Sequence, residues 1–529
     1  MTNRPLGAQI SHMLAARGVD TIFGIPGVHN QEMYRGIEEA GITHILARHE
    51  QGAGFMADGY ARASGRPGVC YVITGPGLTN VLTPLGQAYS DSVPVLAISS
   101  CLDETAATRG QLHQMRDQVG AARTVCDWSE EALSAASAYT LIDRAFTEFQ
   151  SRRSRPKHIS VPIGALEAMA EAKAWRGPVG AFSIPQPSKS EAEFVVGQLL
   201  DAKRPVFVFG GGAVNATKAA RTVMRWGKIA SFCTYSGRGI IGDDPLHFGS
   251  LLARPESMRI FEKCDFAVFV GTDLSEGDLW RTEVGHDCDY AIVNTDPEIL
   301  AQGCGKHISI CSDSANFMKA IGALMRDAKP ASEWSADDVA DFRARMRCQV
   351  DAERPGIVPV ADALRACLPD KTMIYSDMTQ FAYSAKEIWD MAYPRHWHHP
   401  TGFGTLGYAL PAAIGGAVAR QGLPTMAIAG DYGFQYTLQE LGTAVELGLR
   451  LPIFLWDNGK LKEIEDSMVA AQIPPNAVIA RNPDFVALAQ AYGAAGVAPK
   501  SLSEMQDVTR AAFDAKGPTL IHVSSDIAT

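Results

Sequence analysis

The sequence predicts an α/β protein with three doubly wound parallel-sheet domains, and three observations lead to this class. Short β-branched runs bounded by glycine or proline alternate with helical patterns from one end of the chain to the other. Strands separated by helical stretches of about 10–20 residues return to the same sheet through right-handed crossovers, which makes the sheets parallel and covers both faces. Two polar joints divide the chain, whose 529 residues suffice for roughly three to four domains.

The predicted strands fall into three groups. The first third of the chain carries strands at residues 42–47, 69–74, 93–99 and 158–162, with helices at 51–64 and 79–89 between them. The middle third carries strands at 205–209, 229–233, 266–270, 291–294 and 308–311. The last third carries strands at 372–375, 425–429, 451–456 and 519–523.

The two joints lie at residues 183–191 and 327–338, where proline and serine interrupt the helical pattern. They predict domains at residues 1–182, 190–328 and 345–529.

Composition excludes several classes of protein. The chain has 58 acidic and 48 basic residues, a formal charge of −10, which argues against a nucleic-acid partner. The uncharged stretches 68–90 and 401–419 are interrupted by glycine and proline, so we expect buried core and no membrane span. Ten cysteines without a CxxC pair indicate neither a disulfide framework nor a zinc site. Because the first residues also lack the apolar run of a secretory signal, we expect a cytoplasmic location.

The strongest local signal is the segment Gly430-Asp431-Tyr432-Gly433, directly after an apolar strand. A helical segment and a second strand lead from it to Asn458, 27 positions after Asp431, so both side chains should emerge at the carboxyl edge of the sheet. A carboxylate, an amide oxygen and a nearby backbone carbonyl suit Mg²⁺, and glycines let a diphosphate approach the backbone. The alternative is an ordinary strand-to-helix turn capped by Asp431.

Three further segments carry chemical signals. Glu50 opens a helix of small residues at a strand end, where a partly desolvated carboxylate can share a proton with a ring nitrogen. The glycines of the 74–77 turn (TGPG) leave room for a flat ligand, and Leu406, between the glycines of 402–407, can act as a wedge under a bent one. The alternatives are a helix-capping glutamate and a close-packed helix start.

Together and in this order, these four segments resemble the thiamine-diphosphate enzymes of the acetolactate synthase, pyruvate oxidase and benzoylformate decarboxylase family. The resemblance runs from residues 23–27 (FGIPG) to the C-terminal strand. It implies the thiamine-diphosphate-binding fold, with a pyrimidine-binding N-terminal domain, a Rossmann-like central domain and a diphosphate- and Mg²⁺-binding C-terminal domain. It also implies a homodimer or homotetramer, in which each cofactor lies between the first domain of one subunit and the third domain of another.

The resemblance assigns roles to individual residues. Glu50 would face the aminopyrimidine N1′ atom, Leu406 would hold the cofactor bent, and Mg²⁺ would be bound by Asp431, Asn458 and the Lys460 carbonyl. The other cofactor contacts that it implies are Gly75, Pro76, Gly77, Thr379, Gln380, Gly404, Gly430, Tyr432 and Gly433. Two departures from the family pattern are Tyr432, where glycine is usual, and Asp457, where asparagine is usual.

By this resemblance the protein is a carbon–carbon lyase that decarboxylates a 2-oxo acid to an aldehyde and CO₂. Release of an aldehyde requires a proton donor, and we predict that His29 and His113 supply it. The alternative for each is a loop histidine bonded to the backbone. The rival functions are acetolactate-type carboligation and an inactive thiamine-fold binding protein.

The substrate is predicted from a narrower likeness. Residues 430–449 and 456–468 are similar to the subgroup that decarboxylates 5-guanidino-2-oxopentanoate. On the predicted helix 460–468, Glu463 and Glu465 are candidates to pair with a guanidinium group. Val28, beside His29, is a further candidate contact. The alternative is a solvated charge cluster on a surface helix.

Two signals lead to no predicted site. Gly210-Gly211-Gly212 does not complete a dinucleotide fingerprint, so we expect neither FAD nor an NAD-dependent dehydrogenase. The neighbouring histidines 396, 398 and 399 lie in a proline-flanked loop, and we predict no metal there.

Overall fold

The computed structural model describes residues 3–105, 109–172, 175, 183–303, 305–479 and 481–528. Within these residues it contains three six-stranded parallel sheets, one in each third of the chain, which confirms the predicted fold class. The predicted end of the first domain, residue 182, lies outside the described residues.

The first sheet has the strand order β3-β2-β4-β5-β7-β6, and β1 pairs with β8 in a separate antiparallel ribbon. The strands of this region are β1 (Asn3–Pro5), β2 (Thr21–Gly24), β3 (Thr43–Leu46), β4 (Gly68–Val72), β5 (Val95–Cys101), β6 (Trp128–Glu131), β7 (Lys157–Pro162) and β8 (Met169–Glu171). The helices are α1 (Leu6–Ala15), α2 (Gln31–Arg35), α3 (Glu50–Ser64), α4 (Pro76–Ser90), α5 (Gln118–Arg123), α6 (Ala135–Ser151) and α7 (Ile163–Glu167).

The second sheet has the order β11-β10-β9-β12-β13-β14. Its strands are β9 (Pro205–Phe209), β10 (Ala230–Cys233), β11 (His247–Gly249), β12 (Phe266–Val270), β13 (Asp289–Asn294) and β14 (His307–Cys311). The helices of this region are α8 (Lys189–Asp201), α9 (Thr217–Gly227), α10 (Ser257–Phe261), α11 (Glu276–Leu279), α12 (Pro297–Leu300), α13 (Ser314–Met325) and α14 (Ala336–Glu353). Residue 345, the predicted start of the third domain, lies inside α14, whose Phe342 and Met346 pack in the core of the central sheet.

The third sheet has the order β16-β15-β17-β18-β20-β19. Its strands are β15 (Met373–Ser376), β16 (Trp397–His398), β17 (Thr425–Gly430), β18 (Pro452–Asp457), β19 (Ala495–Val497) and β20 (Thr519–Ser524). The helices are α15 (Ile357–Cys367), α16 (Gln380–Ile388), α17 (Ala409–Ala419), α18 (Asp431–Thr437), α19 (Glu440–Glu446), α20 (Lys462–Ala470), α21 (Phe485–Ala491) and α22 (Leu502–Asp514).

Every predicted strand is present, with ends within two residues of the prediction. The strands that the sequence did not predict have two to four residues, too few to show an alternating or continuous apolar pattern. One helix prediction was wrong: the single helix expected after Gly433 is the pair α18 and α19, and α18 already begins at Asp431.

Helices α3 and α17 join the first and third domains in one hydrophobic core. A Cβ atom at Gly59 would lie 2.0 Å from the Ala412 carbonyl oxygen, and one at Gly415 would lie 1.9 Å from that of Met56. The helix backbones are therefore in direct contact, which only glycine permits at these positions. Tyr375 adds a hydrogen bond from its hydroxyl to the Gly59 carbonyl, at 2.8 Å. This packing fixes how the two domains present their site residues.

Among the described residues, none of the helices has the length and apolar character needed to cross a membrane.

Candidate active site

The predicted metal loop lies at the carboxyl ends of two paired strands. β17 ends at Gly430, opposite Trp456 of β18, so Asp431 and Asp457 emerge side by side. The Asn482 side-chain amide donates to both carboxylates, at 2.7 Å to Asp431 Oδ2 and 2.9 Å to Asp457 Oδ1. Sequence reasoning missed Asn482, because it follows Asp457 by 25 residues in a segment without a recognisable pattern.

The charges of this loop suit a divalent cation. Burial, together with the nearby charge of Asp457, raises the pKa of Asp431 to about 6. Burial also opposes ionisation of Asp457, but hydrogen bonds from His522 and the Gly459 N–H outweigh it and lower its pKa. Among the described residues, no lysine or arginine pairs with Asp431. A buried carboxylate without a basic partner needs a positive charge nearby, and Mg²⁺ prefers oxygen ligands. The carboxylates of Asp431 and Asp457 therefore fit a Mg²⁺ site.

The predicted ligands Asn458 and Lys460 follow β18 and form a tight turn, which a hydrogen bond between them closes. The Lys460 N–H donates to Asn458 Oδ1 at 3.3 Å. Gly459 between them has φ +70° and no atom near its Cβ direction, so the turn is open on that side. The amide and the carbonyl therefore stay in one compact turn beside the Asp431 loop.

The structure gives a physical reason for the departure at Tyr432. A Cβ atom at Gly433 would lie 2.5 Å from Asp377 Oδ2, so the glycine is needed here, whereas Tyr432 is half-buried and tolerated. Asp377 is buried, which raises its pKa to about 6, and it also accepts from the Gly407 N–H at 2.9 Å. Asp377, which the sequence did not indicate, thus ties the metal loop to the loop that carries Leu406.

The other predicted diphosphate-side residues lie around the same edge. Thr379 is buried, with its hydroxyl 3.1 Å from where a Gly430 Cβ would lie. Leu406 is half-buried between Gly404, at φ +66°, and Gly407, at φ +81°. We refer to Asp431, Asn458, Lys460, Thr379 and Leu406 as the Asp431 group.

Glu50 is the first residue of α3 and is oriented by an unpredicted partner. The Asn80 side-chain amide, on α4, donates to Glu50 Oε2 at 2.9 Å. The other carboxylate oxygen lies 3.5 Å from where a Gly77 Cβ would be, so it faces the 75–77 turn. Gly75 has φ +70° and its N–H donates to Gln118, and Pro76 is the first residue of α4.

His29 and His113, the two predicted proton donors, lie next to each other. Their rings are edge to face with centroids 5.1 Å apart, and the Cα of His113 lies 3.0 Å from where a Gly75 Cβ would be. Neither buried Nδ1 atom has a hydrogen-bond partner among the described residues, so these atoms are not bonded to the backbone. Burial lowers the pKa of His29, and His113 lowers it further. We refer to Glu50, His29, His113 and the 75–77 turn as the Glu50 group.

Glu440 of α19 connects the third domain to the turn that carries Glu50. Its buried carboxylate accepts from the N–H groups of Arg48, at 3.1 Å, and His49, at 3.0 Å. Burial raises the pKa of Glu440 to about 7. No local sequence pattern indicated this contact.

Within one chain, no hydrogen bond or ion pair of the described residues joins the two groups.

Of the three predicted substrate residues, Glu463 and Glu465 are half-buried and paired within the chain, whereas Val28 is exposed. Glu463 accepts from Arg354 at 2.8 Å and from Gln380 at 2.9 Å, whereas Glu465 pairs with Lys460 at 3.0 Å. Val28 is 64% exposed, next to His29.

Comparison with known families identifies the class of protein. The profiles described as "Thiamine pyrophosphate enzyme" match in order: the N-terminal TPP binding domain at residues 4–121, the central domain at 192–321 and the C-terminal TPP binding domain at 377–523. The chain belongs to the thiamine-diphosphate enzymes, which confirms the predicted family.

Individual relatives narrow the comparison. The chain is 39% identical to a probable 2-ketoarginine decarboxylase of Pseudomonas aeruginosa, over 98% of this chain and 93% of the relative. It is 29% identical to the acetolactate synthase isozyme 2 large subunit of Escherichia coli, over 98% and 95%. It is 26% identical to an acetolactate synthase of Bacillus subtilis, over 97% and 92%.

Proposed function

We propose that this enzyme decarboxylates a 2-oxo acid to an aldehyde and CO₂, with thiamine diphosphate and Mg²⁺. The observation that carries the proposal is the pair His29 and His113 at the 75–77 turn, which Glu50 also faces. Such a pair suits the release of an aldehyde, which requires a proton at the carbon that loses CO₂. The reaction consumes one proton for each CO₂ released.

The chain's own residues have separate tasks. Thiamine diphosphate supplies the nucleophilic carbon and accepts the electrons that CO₂ leaves behind. Glu50, oriented by Asn80, holds a proton at the ring nitrogen of the pyrimidine. Asp431, Asn458 and the Lys460 carbonyl would hold Mg²⁺. His29 and His113, which are both half-buried, would deliver the final proton.

The proposed substrate is 5-guanidino-2-oxopentanoate, also called 2-ketoarginine. This proposal is supported by the relative in Pseudomonas aeruginosa and by the carboxylates of α20, which begins directly after the metal loop. Glu463 and Glu465 are the proposed guanidinium contacts, and Val28 is a proposed contact from the first domain.

The proposed assembly is a homodimer or homotetramer with active sites between subunits, in the cytoplasm. Two observations support shared sites. Among the described residues of one chain, no hydrogen bond or ion pair joins the Glu50 group to the Asp431 group. No residue of α20 is buried, although it carries the apolar side chains Ile464 and Val469.

The test is CO₂ release from a panel of 2-oxo acids with thiamine diphosphate and Mg²⁺, with products identified by mass spectrometry. The panel contains 2-ketoarginine, pyruvate, benzoylformate and branched 2-oxo acids. We expect 4-guanidinobutanal as the main product, and a Glu50→Gln variant about 100-fold slower or worse. Acetolactate from pyruvate would contradict the proposed reaction but not the family, and absence of turnover on any acid would contradict catalysis.

A further inference from the structure

The carboxylate of Glu463, a proposed substrate contact, is already bound by a guanidinium group of the same chain, that of Arg354. Arg354 Nη2 donates to Glu463 Oε1 at 2.8 Å, and its Nε donates to Glu463 Oε2 at 3.3 Å. This two-point, side-on geometry is specific to guanidinium and carboxylate groups.

The groups around Arg354 are those that recognise a guanidinium in general. Gln380 donates to Glu463 Oε2 at 2.9 Å and so orients the carboxylate. The guanidinium carbon of Arg354 lies 5.8 Å from the centre of the Tyr383 ring, within cation–π range. Glu353 provides a second carboxylate at 3.5 Å. Two carboxylates and an aromatic ring therefore surround the Arg354 guanidinium, as in a guanidinium-binding site.

These groups lie at the same sheet edge as the metal loop. Gln380 begins α16, four positions after the last residue of β15, and Glu463 is the second residue of α20, three positions after Lys460. β15 and β18 are the two neighbours of β17, whose end carries Asp431. A substrate whose 2-oxo acid end meets the cofactor would extend its other end along this edge.

The ion pair between Arg354 and Glu463 is accessible to a ligand from the solvent. The Glu463 side chain is 44% exposed and that of Arg354 is 17% exposed. Arg354 is the residue after the end of α14, two positions before Gly356 at φ +87°, so it belongs to a turn and not to a packed helix. If it leaves Glu463, Arg354 still has the carboxylates of Glu353 and Glu387 nearby to offset its charge.

We propose that Glu463, Gln380 and Tyr383 form the receptor for the substrate's guanidinium group, and that Arg354 is a placeholder which the substrate displaces. This inference rests on the proposed function and deepens it, since it assigns the substrate class to a set of contacts and adds an internal competitor.

The first experiment compares Arg354→Met with the wild-type holoenzyme on two substrates. Met keeps an apolar stem but removes the competing charge. For 2-ketoarginine we expect KM to fall about tenfold, because the receptor no longer has to be vacated. For 2-oxohexanoate, which has a similar chain without the guanidinium, we expect KM to stay within about twofold. Arg354→Lys, which keeps the charge but loses the two-point geometry, should lie between wild type and Arg354→Met.

The matched control is Arg347→Met. Arg347 lies on α14, one heptad before Arg354, and forms an exposed ion pair with Asp362. This variant should leave both KM values unchanged. The proposal that the substrate displaces Arg354 would be overturned if KM changed equally for both substrates in Arg354→Met, or if it rose for 2-ketoarginine alone.

The second experiment does not depend on turnover. Methylguanidinium is titrated by calorimetry into wild type, Arg354→Met and the double variant Arg354→Met/Glu463→Gln. We expect binding to be strongest in Arg354→Met and lost in the double variant. Equal binding to all three would overturn the receptor. If 2-ketoarginine is not a substrate but methylguanidinium follows the expected order, the proposed function fails while the receptor stands.

Discussion

Glu440 shows at the level of a single residue how the protein supports its predicted catalytic carboxylate from a distance. It lies on α19 of the third domain but accepts the N–H groups of Arg48 and His49, directly before Glu50. The two segments are 392 residues apart in sequence. A change at Glu440 should therefore affect both folding and the position of Glu50.

The raised pKa of Glu440 predicts a pH-dependent stability that Glu440→Gln removes. The carboxyl ionises near pH 4.5 when unfolded but near pH 7 when folded, so its contribution is complete below about pH 4.5 and declines as the pH rises to about 7. We expect the wild type to lose on the order of 2 kcal/mol, relative to Glu440→Gln, between pH 5 and pH 8. Urea unfolding at both pH values measures this difference. A constant difference would show that Glu440 does not titrate in this range.

The imidazole pair predicts non-additive kinetics. His29→Ala and His113→Ala should each lower kcat for aldehyde formation by about 100-fold, because each removes part of one proton-delivery unit. The double variant should be little worse than either single one, since the two rings are in contact. His307→Ala, an exposed histidine of the central domain that stacks on Tyr290, is the control. Full kcat in either single variant would exclude that ring from the unit.

The sequence predicted the residues whose chemistry stands out but not those that hold them. Glu50, Asp431 and Asn458 follow strand ends or open helices, so their place could be derived from local pattern. Asn80, Asn482 and Asp377 have ordinary surroundings in sequence, and their roles arise from contacts across loops that only the folded chain creates. The family resemblance did not indicate them either.

At the scale of elements, the close contact of α3 and α17 predicts sensitivity to a single methyl group. Gly59→Ala or Gly415→Ala would force a Cβ into a backbone carbonyl of the other helix, so we expect a loss of at least about 2 kcal/mol in unfolding free energy. The control is Gly197→Ala in α8, where no atom lies within 4 Å of the Cβ position and where alanine should stabilise by about 0.5–1 kcal/mol. Urea unfolding measures all three. If Gly59→Ala and Gly415→Ala changed the unfolding free energy no more than Gly197→Ala does, α3 and α17 could move apart without loss of stability, which would contradict the prediction.

Strand positions were predictable because buried parallel strands are continuous apolar runs between turn residues. The division of α18 from α19 was not predictable, since the helical pattern continues through Leu438 and Gln439 without proline or glycine. The interruption matters for the site, because it starts a new helix at Glu440, the residue that reaches the Glu50 turn.

At the scale of the whole molecule, the proposed sharing of active sites between subunits predicts complementation between inactive subunits. Glu50→Gln and Asp431→Ala should each be inactive alone. If sites form between chains, a mixed dimer restores one intact site, and refolding an equal mixture should recover up to about a quarter of the wild-type rate. The measurement is CO₂ release after co-refolding, with each variant refolded alone as the control. No recovery would place both halves of each site in one chain.

The contact between Arg354 and Glu463 also has a consequence for which molecules the enzyme ignores. A competitor on the same chain has an effective concentration on the order of millimolar, which dilution cannot lower. Arginine and other guanidino compounds carry the same guanidinium group but have no 2-oxo acid to react with the cofactor. Their guanidinium group alone would have to displace Arg354 from Glu463. In the proposed exchange, a 2-oxo acid that also carries a guanidinium group would be held at both ends, and the second contact supplies the binding energy to displace Arg354. In the proposed exchange, Arg354 thus increases the selectivity of the active site against abundant guanidino compounds that are not 2-oxo acids.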